Sequence, residues 1–149
     1  MKITRTDSSN HDFEALVKLL DADLAIRDGE DHSFYSQYNK IAAIKHVIVL
    51  YENDTAIACG AIKQFDPTTM EVKRMYTLPG FRGKGLAGKI LSALEQWASE
   101  LGYKKCILET GKKQPEAIAL YNKSGYSVIL NYGQYAGIDN SVCFEKQLG

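Results

Sequence analysis

LPGFRGKGLAGK, running from Leu78 to Lys89, is the stretch that decides how this chain is read. The residues before it, Thr69–Leu78, read as a strand. The residues after it read as an amphipathic helix from about Gly85 to Leu101. Leu86, Ile90, Leu91, Leu94, Trp97, Ala98 and Leu101 recur there with a 3.6-residue period, and Gly102 ends the run. Closely spaced glycines let a backbone approach a ligand. The free N–H groups of a first helical turn then point at that ligand, aided by the helix dipole. Arg82, Lys84 and Lys89 add positive charge with no acid beside them. The direct physical reading is a phosphate-binding loop between a strand and a helix.

Two general motifs compete for this loop. The P-loop pattern GxxxxGK[ST] fails, because Lys84 is followed by Gly85 and no glycine stands at the required upstream position. The dinucleotide fingerprint GxGxxG matches literally at Gly83, Gly85 and Gly88, with Glu109 downstream at a strand end. A dinucleotide fold needs several further strand–helix repeats after the fingerprint. Only one more helix fits behind Gly88, and hairpin-like sequence precedes the loop.

Working outward, Lys2–Thr6 alternates as a short strand. Asp7–Ser9 can cap a helix to about Arg27, with Phe13, Leu16, Val17, Leu20 and Leu24 on one face. Ser33–Ile44 reads as a second, short helix. Lys45–Glu52 and Thr55–Phe65 form a hairpin around Asn53-Asp54, and Asp66-Pro67 turns into the third long strand. Lys105–Thr110 is a short buried strand, and Pro115 opens a helix ending near Ser124-Gly125. Tyr126–Leu130 and Val142–Gln147 close the chain. The order is β-α-α-β-β-β-α-β-α-β-β. It predicts an α/β (α+β) domain over 1–149, with a mixed, mostly antiparallel central sheet and helices on both faces. The β-α-β from Thr69 to Thr110 is its parallel crossover.

Composition narrows the function. The 149 residues carry 18 basic and 18 acidic side chains, a formal charge of +0. That balance disfavours a nucleic-acid binder, whose affinity comes from phosphate neutralisation. The zero is divided: residues 1–75 hold 9 basic and 12 acidic residues, and 76–149 hold 9 and 6. No apolar run is long enough to span a membrane. The polar start MKITRTDSSNHDF lacks the apolar segment of a signal peptide, so the expected location is cytoplasmic and no membrane partner is expected. Cys59, Cys106 and Cys143 are odd in number and far apart, which favours reduced core thiols over disulfides. His11, His32 and His46 form no ligand spacing, so no metal is expected.

A resemblance sharpens the loop. Arg82-Gly83-Lys84-Gly85-Leu86-Ala87 resembles the [RQ]-x-x-G-x-[GA] loop of the GCN5-related N-acetyltransferases, the GNAT superfamily. VKRMYTLP (Val72–Pro79) is similar to that family's fourth strand and its exit. ILETGKKQPEAIALYNKSGY (Ile107–Tyr126) is similar to its fifth strand, fourth helix and following turn. The resemblance implies a GNAT-type fold and acetyl-CoA as cosubstrate. The pyrophosphate would lie on Arg82, Gly83, Lys84, Gly85, Leu86, Ala87 and Gly88. The backbone of Met75, Tyr76 and Thr77 would pair with the pantetheine arm. Gln114 stands where many members have an Asn that contacts the cofactor.

The implied reaction is direct attack of a primary amine on the thioester. Tyr121, at the tyrosine of the A-x-x-L-Y-x-x-x-G-[FY] pattern, is the candidate acid. Glu71, 11 residues before Arg82, is the candidate base, and Glu109 is the reserve. Simple alternation would set Glu71, Lys73, Met75 and Thr77 on one strand face, and Val72, Arg74, Tyr76 and Leu78 on the other.

The acceptor region is expected to be built from the first helices. Asp12–Asp31 holds seven acids and two bases, which reads either as a solvated face or as an acidic rim for a cationic amine. Phe34, Tyr35 and Tyr38 would cover that pocket or pack on the sheet. Tyr132 and Tyr135 could close it, on a loop that Gly133 and Gly137 allow to move. The acceptor itself is a small-molecule or peptide amine, and a homodimer is the oligomer the family suggests. Two other classes stay open: a non-catalytic acyl-CoA-binding module and a nucleotide-dependent oxidoreductase.

Overall fold

The computed structural model describes residues 1–29 and 43–149. Seven strands form one sheet: β1 (Lys2–Thr6), β2 (His46–Glu52), β3 (Thr55–Asp66), β4 (Thr69–Thr77), β5 (Lys105–Gly111), β6 (Ser127–Ile129) and β7 (Ser141–Gln147). Three α-helices accompany them among the described residues: α1 (His11–Asp28), α2 (Leu86–Glu100) and α3 (Pro115–Lys123). The expected helix over Ser33–Ile44 lies, up to residue 42, outside the described residues. So do Phe34, Tyr35 and Tyr38.

The strand order is β1-β2-β3-β4-β5-β7-β6. β1 to β4 are an antiparallel meander, β4 and β5 run parallel, and β7 returns antiparallel between β5 and β6. The mixed sheet with helices on both faces is therefore what the sequence predicts.

Each face has its own core. On one, α2 sets Leu86, Ile90, Leu91, Leu94 and Ala98 against Ile48, Leu50, Ile57 and Ile62, and Tyr121 of α3 joins them. On the other, Phe13, Leu16 and Val17 of α1 cover Val47, Val49, Cys59 and Ala61. Each Leu, Ile, Val or Phe among them contributes about 1.5–3 kcal/mol on burial. Gly60 makes the α2 contact close: a Cβ there would lie 2.7 Å from Ile90 Cγ2 and 3.0 Å from Leu94 Cδ1. Cys59, Cys106 and Cys143 are buried free thiols, as expected.

The start of α1 differs from expectation. The cap is Asn10, whose Oδ1 accepts the Phe13 N–H at 2.9 Å, a contact of about 1 kcal/mol. Asp7 instead accepts the Ser9 N–H and hydroxyl in a turn of its own.

A second difference decides the site. In the β3–β4 register Ala61 faces Lys73 and Cys59 faces Tyr76. Two steps on β3 therefore match three on β4, so β4 carries one extra residue. Arg74 sits in that bulge with φ 61°, a left-handed conformation costing a non-glycine residue roughly 1–2 kcal/mol. The bulge reverses alternation. Met70, Val72 and Met75 all pack in the α2-side core, while Tyr76 packs in the α1-side core. The expected grouping of Met75 with Glu71, and of Arg74 and Tyr76 with Val72, is thereby corrected.

Candidate functional site

β4 and β5 stay paired only from Thr69–Glu71 against Lys105–Ile107. Beyond Glu71 they part, and a cleft of about 410 Å³ opens between them. Its walls are β4 beyond the pairing, the glycine loop, the end of β5, the start of α3 and the last turns of α1.

The open edge of β4 has a definite polarity. The Leu78 N–H donates to Ile57 of β3 at 2.9 Å. Strand alternation then turns the N–H and C=O of Thr77 and Met75 away from β3, toward the cleft, and those of Tyr76 toward β3. One of these groups is already engaged, since Arg82 Nε donates to the Thr77 carbonyl at 2.9 Å. Arg82 also lies over the Tyr76 ring at 5.4 Å.

The loop follows. Gly83 and Gly85 both have φ 77°, which glycine adopts without strain. Gly85 is the N-cap of α2 and brings no capping side chain. The N–H groups of Leu86, Ala87 and Gly88 therefore have no intrahelical partner. An added Cβ on Gly88 would meet nothing within 4 Å. Among the described residues nothing requires glycine there, and the open space lies beside donors with no intrahelical partner. Arg82, Gly83, Gly85, Leu86, Ala87, Gly88, Met75, Tyr76, Thr77 and Gln114 all line the cleft. Lys84 does not; its ammonium stands 5.5 Å over the Phe81 ring.

Polar groups collect on the α1 side of the sheet. Glu71 is buried, and its Oε2 accepts the Tyr132 hydroxyl at 2.6 Å while Oε1 lies 3.5 Å from Lys73 Nζ. Glu109 Oε2 accepts the Ser141 hydroxyl at 2.8 Å. Tyr135 is buried close to both carboxylates. Burial first, and then Glu109 and Glu71, push its phenol well above the ordinary range. Burial and Glu71 do the same to Tyr132. The loop expected to move is braced: Asn131 Nδ2 donates to the Ile138 and Ser141 carbonyls, both at 3.0 Å.

Tyr121 comes from the α3 side and also lines the cleft. Its ring packs against Tyr126 and Phe144, each with centroids 5.8 Å away. Burial, with a smaller contribution from Glu109, raises its phenol far above the usual value. It therefore keeps its proton throughout the neutral range.

The acids of α1 are largely engaged within the chain. Asp12 accepts the Tyr51 hydroxyl at 2.6 Å. Asp21 pairs with Arg74 at 3.1 Å, and Asp23 with Arg27 at 3.3 Å. Arg27 also pairs with Glu116 of α3, tying α1 to α3 beside the cleft. The acidic rim is therefore, at Asp21 and Asp23, a set of partners for cleft arginines. Glu30 and Asp31 lie outside the described residues.

The structure thus brings Glu71, Glu109, Tyr121, Met75, Thr77, Gln114 and the loop around one opening. It adds two residues for which the sequence reading had no role or only an uncertain one: Arg74 and Tyr135. The sequence offers only a faint sign of Arg74, the two consecutive charges Lys73-Arg74 within β4.

The geometry has relatives. The family model described as Acetyltransferase (GNAT) family matches residues 13–126. The uncharacterized N-acetyltransferase YjgM of Escherichia coli (strain K12) is 53% identical over 60 residues, covering 40% of this chain and 35% of that protein. The IAA acetyltransferase of Azospirillum brasilense is 34% identical over 102 residues, 68% of this chain and 67% of that protein. The match thus spans about a third of the first relative's length and two thirds of the second's. Among solved structures, a Klebsiella pneumoniae chain assigned as an acyl-CoA N-acyltransferase superposes with TM-score 0.83 at 29% identity, covering 99% of this chain and 97% of that one. A GNAT family acetyltransferase from Elizabethkingia anophelis with acetyl-CoA bound superposes with TM-score 0.71 at 18% identity, covering 99% and 97%.

Proposed function

Because the chain belongs to the acetyltransferase (GNAT) family, we propose that it moves an acetyl group from acetyl-CoA to a primary amine. The observation that carries this reading is the β4–β5 cleft with the glycine loop at its end. The cleft fits the coenzyme on its own terms. It offers unpartnered first-turn amides where Gly88 leaves space for a phosphate. It also offers an unpaired strand edge where an extended arm needs hydrogen bonds.

The residues divide the work. The amides of Leu86, Ala87 and Gly88 take the pyrophosphate, and Arg82 supplies charge beside them. The open edge of β4 at Met75 and Thr77 takes the pantetheine arm, with Gln114, the N-cap of α3, across from it. When bound, acetyl-CoA supplies an activated thioester: the amine nitrogen attacks its carbonyl carbon, the C–N bond forms, the C–S bond breaks, and the electron pair leaves on sulfur. The Met75 N–H polarises the carbonyl oxygen. Glu71 receives the proton that the amine loses, directly or through a water. Tyr121 returns a proton to the departing sulfur, a role suited to a phenol that burial keeps protonated.

The test is acetyl-CoA turnover against a panel of amines, read by thiol release and by the mass of the acetylated product, beside a titration with NAD(P). The expected result is amine-dependent thiol release with no NAD(P) binding. Acetyl-CoA binding without turnover on any amine would favour the non-catalytic module, and NAD(P) binding would favour the oxidoreductase.

A further inference from the structure

Arg74 has more hydrogen-bonding capacity than the described residues use. Its side chain is 3% exposed and lines the cleft. Among the described residues only Nη1 has a partner, Asp21 Oδ1 at 3.1 Å. Nε and Nη2 are buried with no partner among the described residues. These two nitrogens share one edge of the planar guanidinium, the edge that takes a carboxylate through two parallel bonds. Leaving both N–H groups bare in the interior is costly. A left-handed backbone at a non-glycine residue adds to that cost.

The partner is not the coenzyme's phosphates. Those belong at the glycine loop, and from Arg74 to Leu78 alone β4 runs about 13 Å. Nor is it the neutral pantetheine arm. The bulge turns Arg74 onto the face that carries Glu71, Tyr132, Tyr135 and Glu109. That face therefore offers one cation with a free fork and two carboxylates within a single opening.

Resting on the acetyl-transfer reading above, we propose that the acceptor carries a carboxylate, bound side-on by Arg74 Nε and Nη2. Amino carboxylates are then the acceptor class. Asp21 acts as a positioning residue that holds Nη1 and so aims the other edge. The ammonium end of the acceptor lies toward Glu71 and Glu109, which set the carboxylate and the reacting nitrogen apart by charge.

The probe is a panel of free amino acids, α and ω, each paired with its own carboxamide. Binding to the CoA-loaded protein is measured by calorimetry, and turnover by thiol release. The expected result is at least one pair whose acid binds roughly 10- to 100-fold more tightly than its amide, the worth of a charge-assisted pair. In Arg74→Gln that preference falls to within about threefold. Arg74→Lys keeps the charge without the fork and retains only part of the preference. The wild-type comparison stands even if a variant fails to fold. If every acid binds no better than its amide, the carboxylate proposal is overturned. Amide turnover in that case leaves the acetyl-transfer reading intact. Failure to bind acetyl-CoA overturns the acetyl-transfer reading and the proposal with it.

Discussion

Replacing Tyr121 with Phe removes one oxygen and nothing else. The ring stays against Tyr126 and Phe144, whose centroids lie 5.8 Å away. Among the described residues the hydroxyl has no hydrogen-bond partner, so stability should change by less than about 1 kcal/mol, or a few degrees in Tm. Catalysis should change far more. A positioned proton donor is worth roughly 10²- to 10⁴-fold, which is about 3–5 kcal/mol of barrier. The fall should appear in kcat, because the proton is needed as the C–S bond breaks rather than on binding. Burial raises the Tyr121 phenol, so wild-type activity should show no loss from its ionisation below about pH 10, the ordinary tyrosine value. The assay is steady-state thiol release over a pH range, with Tm measured beside it. A variant with wild-type kcat and wild-type Tm would refute the acid assignment outright.

Other expectations follow from the same geometry. Glu71→Gln should lower kcat by about 10²-fold or more, read by steady-state thiol release. The same loss in Glu109→Gln, with Glu71→Gln active, would move the base to β5. Gly60→Ala should cost about 1–3 kcal/mol, because the new methyl would stand 2.7 Å from Ile90 Cγ2; an unchanged Tm would show that α2 is loosely packed. Tyr121, Tyr126, Tyr132 and Tyr135 all have raised phenols in the fold. Above about pH 10 the unfolded chain releases these protons and the folded chain does not. Stability present below that pH should therefore fall as pH rises through it, and a flat Tm from pH 9 to 11 would contradict their burial.

The parts of the fold written in local chemistry were legible in the sequence. HVIVLYE, with its β-branched run, became β2, and the apolar period after Gly85 became α2. The glycine loop stood out because φ of 77° at Gly83 and Gly85 leaves a compositional trace. The Arg74 bulge left almost none, since an arginine at φ 61° looks like any other strand residue. That one extra residue exchanged the faces beyond Lys73, so alternation misplaced Met75, Arg74 and Tyr76. Asp21 was hidden for a different reason. Its partner lies 53 positions away, and a helix acid read without its tertiary partner looks like free surface charge. Tyr132 and Tyr135 read as candidates for closing the pocket, yet no spacing announces the Tyr132–Glu71 hydrogen bond or the Asn131 brace beside it.

The central claim is that the parted strands and the glycine loop hold acetyl-CoA. Amide hydrogen exchange, followed with and without saturating acetyl-CoA, reads that claim at the amides concerned. Exchange should slow in Arg82–Lys89 and Met75–Thr77, with β1 and β2 unchanged. Unaltered exchange in both segments at saturating acetyl-CoA would contradict it.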